Sequence, residues 1–293
     1  MVKLENLRLF IEVALAGRLS DAANKLHRTQ SAVSTTLKHL ETDLGEKLFM
    51  GERKNALTPF GEFVLQQAQA LLQEYDKRLD AIRLYASGKQ GVVRVASVPS
   101  VALLLPDILH DLYDTNSLLQ IQLHDYSSAD VIKAVRAMDV DFGVASPTEE
   151  MDDLHTELLA TDPFGCVCPV DHPFAQLQRP ITWDDLHGYN FISNRLCYQI
   201  KEYAVRKLVS KARLLVYNTT SLFAFVENGY GVTLLPQMSY MLAPKLKFLP
   251  LADTSVMRKI LLISRAGKVP SPATAQVIDL LRNHFAAQGE ETV

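Results

Sequence analysis

Along residues 18–86 apolar positions recur at intervals of three and four, a spacing that predicts helices; from Val92 onward short apolar runs alternate with amphipathic stretches instead. Residues 18–45 predict two short helices meeting at a sharp turn. Ser20 is placed as N-cap of the first, with Asp21 at the positive end of its dipole; Ala22, Ala23 and Leu26 form its inward face, and His27 and Arg28 end it. The paired alanines suit a close helix crossing. Thr29 is placed to cap the second helix, in which Val33, Leu37 and Leu40 fall at i, i+4 and i+7. That stripe turns Gln30, Ser31, Ser34, Thr35 and Lys38 outward. Leu44-Gly45 suits a left-handed C-cap, Lys47-Leu48-Phe49 starts a short strand, and Arg53-Lys54 falls in the loop after it.

A longer helical pattern starts after Pro59 and runs through Val64, Ala68, Leu71, Tyr75, Leu79, Ile82 and Ala86. Its other faces are polar, so the stripe must be covered, either by its own domain or by a second copy of the same helix. Ser87-Gly88-Lys89-Gln90-Gly91 then reads as a hinge. Beyond it the pattern predicts strands at Val92–Ala96, Leu119–Leu123, Asp141–Ala145, Gly165–Cys168, Asn190–Ser193, Leu214–Tyr217, Val232–Leu235 and Ile260–Ser264. Helices are expected near Val101–Tyr113, Ala129–Met138, Gln199–Val209, Ser221–Asn228 and Ala273–Ala287. Strands alternating with helices argue for an α/β arrangement with a largely parallel sheet.

The outward residues of the second short helix are donors and acceptors of the lengths that reach base edges and phosphates, as a recognition helix requires; the plainer reading is a solvated face on an ordinary helix pair. Two cations at the hairpin tip beside it, Arg53 and Lys54, make a wing able to touch phosphates or enter a minor groove. This stretch resembles the LysR-type transcriptional regulators. The resemblance rests on Leu4, Leu7, Phe10 and Val13, the Ala22-Ala23 pair with Leu26, Gln30 to Ser34, Leu40-Glu41, Leu44-Gly45, Leu48-Phe49, and Leu57-Thr58 with Gly61. Ser31 stands where the family usually has proline, and Gly51 where arginine is usual.

The resemblance implies a winged helix-turn-helix over residues 1–58, with the helix-turn-helix at about 18–37, then a dimerisation linker helix over 59–88 and an effector-binding domain over 89–293. That domain would resemble a periplasmic-binding-protein fold: subdomain 1 at about 89–160 and 268–293, subdomain 2 at about 161–267, with crossovers near Ala160–Pro163 and Ser264–Lys268. It further implies DNA contacts at Gln30, Ser31, Ser34, Thr35 and Lys38, and a homodimer or homotetramer on operator or promoter DNA.

Charge sharpens the picture. The 293 residues carry a net charge of −3, yet residues 1–90 hold 13 Lys and Arg against 11 Asp and Glu, whereas the remainder holds 17 against 22. An excess of two is weak attraction for a polyanion, which favours a dimer that doubles the footprint. No secretory signal pattern opens the sequence, and no stretch reaches the ~18 apolar residues of a membrane span, so a cytoplasmic protein with no membrane partner is expected.

Small polar residues recur where predicted strands end: Ser97 and Ser100, Ser127 and Ser128, Ser146, Ser193 and Asn194, and Thr219 to Ser221. Open α/β sheets bind ligands at those ends, where helix N-termini offer free N–H groups, so a polar or anionic small-molecule effector is expected; each residue taken singly is equally an N-cap. The effector-binding candidates are Ser97, Pro99, Ser100, Ser128, Ser146, Asn194 and Thr219, with Arg195 as a carboxylate clamp or a plain surface arginine. Cys166, Cys168 and Cys197 fit small buried hydrophobes in a reducing compartment, with a redox-sensing pair as the other reading. No hydrolase, metalloprotease or phosphate-loop motif is found, so no catalytic residue, metal or cofactor is assigned. Two other readings stay open: an architectural DNA-binding protein without a ligand, and a small-molecule-binding α/β enzyme.

Overall fold

The computed structural model describes residues 1–51, 54–147, 151–240 and 243–290. They divide into two compact units, Met1–Leu84 and Tyr85–Val293.

The first unit is built from α1 (Leu4–Ala16), α2 (Leu19–Lys25), α3 (Gln30–Leu44) and most of α4 (Pro59–Ala86). Its core gathers Leu7, Leu9, Phe10 and Val13 of α1, Ala22 and Ala23 of α2, Val33, Leu37 and Leu40 of α3, and Leu48 and Phe49 beyond it. The alanine pair is fully buried at the α2 crossing, as the need for close approach dictates. Ser20, however, is not a cap: α2 begins at Leu19, two residues earlier than a Ser20 cap requires, Arg18 is its N-cap without a side-chain bond, and the Ser20 hydroxyl donates to the Asp21 carboxylate at 3.1 Å. Thr29 does cap α3, its hydroxyl accepting from Ala32 N–H at 3.3 Å, and Gly45 ends that helix at φ 85°.

The helical stripe of α4 divides. Gly61, Val64, Ala68 and Leu72 face the unit's own core, whereas Phe63, Leu71, Tyr75 and Ile82 are exposed. From Val64 the inward row steps by four to Ala68 and by four again to Leu72, which leaves Leu71 on the outer side. Both expected covers for this helix therefore have a face to claim.

The second unit contains a seven-stranded sheet. β1 (Gln90–Ser97) lies between β2 (Leu118–Asp125) and β3 (Phe142–Ala145), parallel to both. β3 then pairs antiparallel with β9 (Met257–Arg265), and β9 with β4 (Leu154–Pro169), which also carries β7 (Thr233–Pro236) and β8 (Leu246–Pro250), all antiparallel. The sheet is mixed rather than largely parallel, because β4 and β9 run side by side in opposite directions from one hydrophobic core to another. One core includes Val93, Val95, Phe142, Val144, Ile260 and Val277; beyond it lie Phe164, Cys166, Val232 and Leu234, and the cluster around Val167, Leu222 and Leu246. A separate parallel pair, β5 (Ile192–Asn194) and β6 (Leu214–Val216), belongs to this second side.

Helices α5 (Pro99–Ala102), α6 (Leu105–Thr115), α7 (Ser128–Ala137) and α11 (Pro272–Glu290) accompany the first side; α8 (Tyr203–Lys211), α9 (Thr219–Glu227) and α10 (Gln237–Tyr240) the second. The single helix expected over 101–113 is two, because α6 restarts with Pro106 in its first turn. The helix expected from Gln199 is a 3-10 turn, Arg195–Gln199, followed by α8. The hinge expected at 87–91 is pinned: Gln276 donates to the Ser87 carbonyl at 2.8 Å, and Gln90 and Gly91 already belong to β1. Among the described residues no helix is long and apolar enough to cross a membrane.

Candidate DNA-reading face and ligand cleft

In the first unit, α3 presents one polar surface. Gln30, Ser31, Thr35 and Lys38 are exposed and Ser34 is half-buried, while Val33, Leu37 and Leu40 behind them are fully buried. The five expected outward residues therefore share one face, whose side chains are short hydroxyls, an amide and one ammonium. Part of this set is already engaged within the helix: Ser31 lies 3.1 Å from the Thr29 hydroxyl.

The two arms of the expected wing pair with each other. Phe49 bridges Leu57, Met50 N–H donates to Ala56 O at 2.8 Å, and Thr58 N–H to Leu48 O at 3.0 Å. Its placement of Lys54 differs from the expectation. Lys54 is buried at φ 52°, its Nζ donating to Glu41 Oε1 at 2.9 Å and lying 5.6 Å from the centre of the Phe49 ring. Glu41 Oε1 also accepts from Leu48 N–H at 3.0 Å. Burial alone would push the Glu41 carboxyl up, but Lys54 and the amides of Leu48 and Phe49 hold it below its usual value. An ammonium so committed clamps the wing to α3 rather than reaching a phosphate. Arg53, the other wing cation, lies outside the described residues.

In the second unit, the carboxyl ends of β1, β2 and β3 face a cleft of about 1040 Å³, closed on the other side by the 3-10 turn, by the start of α9 and by α10. Of the expected residues, Pro99, Ser100, Ser128, Ser146 and Thr219 line it. Ser97 and Asn194 do not. Ser97 is fully buried with its hydroxyl on the Val98 carbonyl at 3.1 Å. Asn194 is a structural cap: its oxygen accepts from Leu196 and Cys197 N–H, and its amide donates to Thr233 Oγ1 and Leu234 O, both at 2.9 Å.

Caps and their neighbours line the cleft together. Ser127 is the N-cap of α7, accepting from Asp130 N–H, and it lines the cleft beside Ser128, whose hydroxyl accepts from Ser146 N–H at 3.2 Å. Asn218, which also lines the cleft, caps α9 and leaves Thr219 as its first residue. Exposed Tyr126, Tyr198 and Tyr217 line it too, with Arg195 lying 5.9 Å from the centre of the Tyr217 ring.

Sequence reasoning missed Arg258. It sits on β9 directly across from Asp162 of β4, and both are buried. Nε and Nη2 donate to Asp162 Oδ2 at 2.9 and 2.7 Å, and Nη2 also to Ser100 Oγ at 2.7 Å; Asp162 Oδ1 accepts from Met238 N–H at 3.1 Å. Burial opposes both charges, pushing the carboxyl up and the guanidinium down, and each group partly offsets this for the other. Only the polar interruption of an apolar strand, Met257-Arg258-Lys259 before Ile260, hinted at it.

The three cysteines are free and buried among the described residues. Burial pushes the Cys168 and Cys197 thiols up to about 11, and Cys166 well above its usual value. Thiols held in that form are poor nucleophiles.

The geometry agrees with what known proteins contain. The family described as bacterial regulatory helix-turn-helix protein, lysR family, matches residues 4–62, and the LysR substrate binding domain matches residues 86–286. The chain belongs to the LysR family of bacterial transcriptional regulators. The Hca operon transcriptional activator HcaR of Escherichia coli (strain K12) is 28% identical over 298 residues, covering 98% of this chain and 99% of HcaR. An uncharacterized regulator of the same organism, YbhD, is 27% identical over 290 residues, 96% of this chain and 91% of its own. In fold this LysR-family protein is similar to crystalline CbnR (TM-score 0.74, 20% identity, 96% of this chain and 100% of CbnR) and to full-length CbnR complexed with its target DNA (TM-score 0.72, 20% identity, 97% and 100%).

Proposed function

We propose that this LysR-family regulator binds operator or promoter DNA through the α3 face and is switched by a polar or anionic small molecule held in the cleft of its second unit. The observation that carries the reading is the cleft: about 1040 Å³, edged by Ser100, Ser128, Ser146 and Thr219 at strand and helix ends. Gln30, Ser31, Ser34, Thr35 and Lys38 contact the DNA, joined by Arg53 at the wing; Lys54 acts through its hold on Glu41.

Closure of the cleft about β4 and β9 is the two-state element that a ligand biases. The division that serves this mechanism is 1–58 for DNA, 59–88 for dimerisation and 89–293 for the effector. Within the last, the residues on either side of the crossover strands move as subdomains. The exposed apolar positions of α4, Phe63, Leu71, Tyr75 and Ile82, support a homodimer, which pairs into a homotetramer on neighbouring sites. The protein works in the cytoplasm, and the cleft binds its ligand without converting it. In support of binding, the Ser100 and Ser128 hydroxyls each accept an N–H and so are held in place at the cleft wall.

Footprinting on the promoters this protein occupies, with and without the cell's small-molecule extract, tests the reading. The protected region is expected to change in length or spacing with extract. An identical footprint alongside unchanged transcription refutes the switch, and no sequence-selective protection refutes the DNA assignment.

A further inference from the structure

The cleft has a floor with a definite polarity. Arg258 lines it and Asp162 does not, so the buried pair turns its positive end toward the cleft. Above it, the Ser100 hydroxyl already accepts from Arg258 and the Ser128 hydroxyl from Ser146 N–H, so each keeps its own proton to give away. One cation and two hydroxyl donors thus face the same space, and what they require is an acceptor with negative charge. The carboxylates of the lining, Asp125 and Glu227, are exposed, and Arg195 is an exposed cation that lines the cleft with them. Three exposed tyrosines, Tyr126, Tyr198 and Tyr217, together with Leu103, Ile132 and Phe223, suit a flat, apolar body behind the charged end.

Arg258 is also tied to both sides of the unit. Its guanidinium holds Ser100 of α5, lies 3.5 Å from Ser239 of α10, and shares Asp162 with the first turn of α10 through Met238 N–H. β4 and β9, the strands that join the two sides, supply the pair itself.

Building on the proposed ligand switch, we infer that Arg258 reads the charge of the ligand. A small carboxylate with a planar apolar body takes an N–H of Arg258 together with the hydroxyl protons of Ser100 and Ser128. Arg258 then loosens its hold on Asp162, and the crossover strands register that the cleft is filled. Asp162 is the competitor that keeps Arg258 occupied while the cleft is empty.

Thermal unfolding of the full-length protein at constant ionic strength, with acetate, benzoate, acetamide, benzamide and benzylamine as probes, tests this. Benzoate is expected to raise the melting temperature while benzamide and benzylamine do not. Asp162→Asn, which removes the competing carboxylate, is expected to lower the half-saturating benzoate concentration by about tenfold, and Arg258→Lys, which loses the planar fork, to raise it by about tenfold. A merely structural pair would destabilise both variants alike and leave the benzoate midpoint where it was. The inference is overturned if carboxylate and amide act equally, if Arg258→Lys keeps the wild-type midpoint, or if neither carboxylate acts. The carboxylate-against-amide contrast uses the wild-type protein, so it stands even where a variant does not fold. If benzamide or benzylamine stabilises the protein and alters its DNA footprint, the switch survives and the role of Arg258 falls. If a probe binds the cleft and the footprint does not respond, the switch itself falls.

Discussion

Replacing Glu41 by glutamine keeps an acceptor for the Leu48 amide but removes the carboxylate that pairs with buried Lys54. Glu41 Oε1 takes Leu48 N–H at 3.0 Å and Lys54 Nζ at 2.9 Å, and the two side chains are 11% and 10% exposed. An exposed pair is worth about 0–1 kcal/mol, whereas orphaning one partner of a fully buried pair costs about 3–5 kcal/mol. With a tenth of each side chain still wet, a loss of about 2–3 kcal/mol in the opening of the wing is expected, or roughly 30- to 150-fold faster exchange of its protected amides. The assay is hydrogen exchange of peptides covering residues 46–58, in which the Met50 and Thr58 amides are held by Ala56 and Leu48 carbonyls.

Lys54→Met should do similar damage by orphaning the carboxylate, and the Glu41→Gln, Lys54→Met double variant should cost less than the sum by about 1–2 kcal/mol. The pH dependence has a fixed sign. Because the folded pKa of Glu41 lies below its unfolded value, the pair's contribution is complete above the unfolded pKa of about 4.3 and is lost as the pH falls through the folded value. Protection of the wing is therefore flat from neutrality to mild acid and falls in stronger acid. Singles that leave wing exchange within twofold of wild type, or that add without coupling, refute the clamp.

Other consequences are direct. Lys38→Ala is expected to weaken binding to all duplexes alike and to reduce the salt slope by about 1, whereas Ser34→Ala shifts the preference between operators; fluorescence anisotropy at several salt concentrations separates the two, and normal binding by both rejects the α3 face. At Gly61 an added Cβ would stand 2.0 Å from the Leu48 carbonyl oxygen, so Gly61→Ala must push the wing strand away from α4. The expected cost is about 1–3 kcal/mol, visible as a lowered melting temperature, and an unchanged melt would show that the approach relaxes freely. Ile82→Glu changes an exposed side chain, so the monomer should fold as before, but a dimer closed by α4 should dissociate in sedimentation velocity; an intact dimer would place the interface elsewhere.

The first unit was legible because its signals are local. Val33, Leu37 and Leu40 declare an inward row by spacing alone, and all three are fully buried. Ala22-Ala23 declares a close crossing, and Thr29 and Gly45 declare the ends of α3. Lys54 shows where that logic stops. A lysine at a hairpin tip looks like a free cation, and only Glu41, thirteen residues earlier and facing it across the unit, makes it a clamp.

The same limit explains the second unit. Thr161-Asp162-Pro163 looks like a turn and Met257-Arg258-Lys259 like a loop before a strand, because charged residues and proline normally interrupt strands. The charge inside each of β4 and β9 faces its opposite on the other strand, 96 residues away, and no pattern within either segment reports that separation. The serines at the strand ends were found because capping positions are local, although spacing did not tell Ser128, which lines the cleft, from Ser97, which is sealed in the core. Local patterning therefore finds the rim of this site and misses its floor. A buried charge is costly enough to need a reason, and here the pair costs desolvation on both sides while touching the cleft, α5, α10 and both connecting strands. Apolar residues would pack those strands without that cost, but they would not link the contents of the cleft to the strands around which it closes.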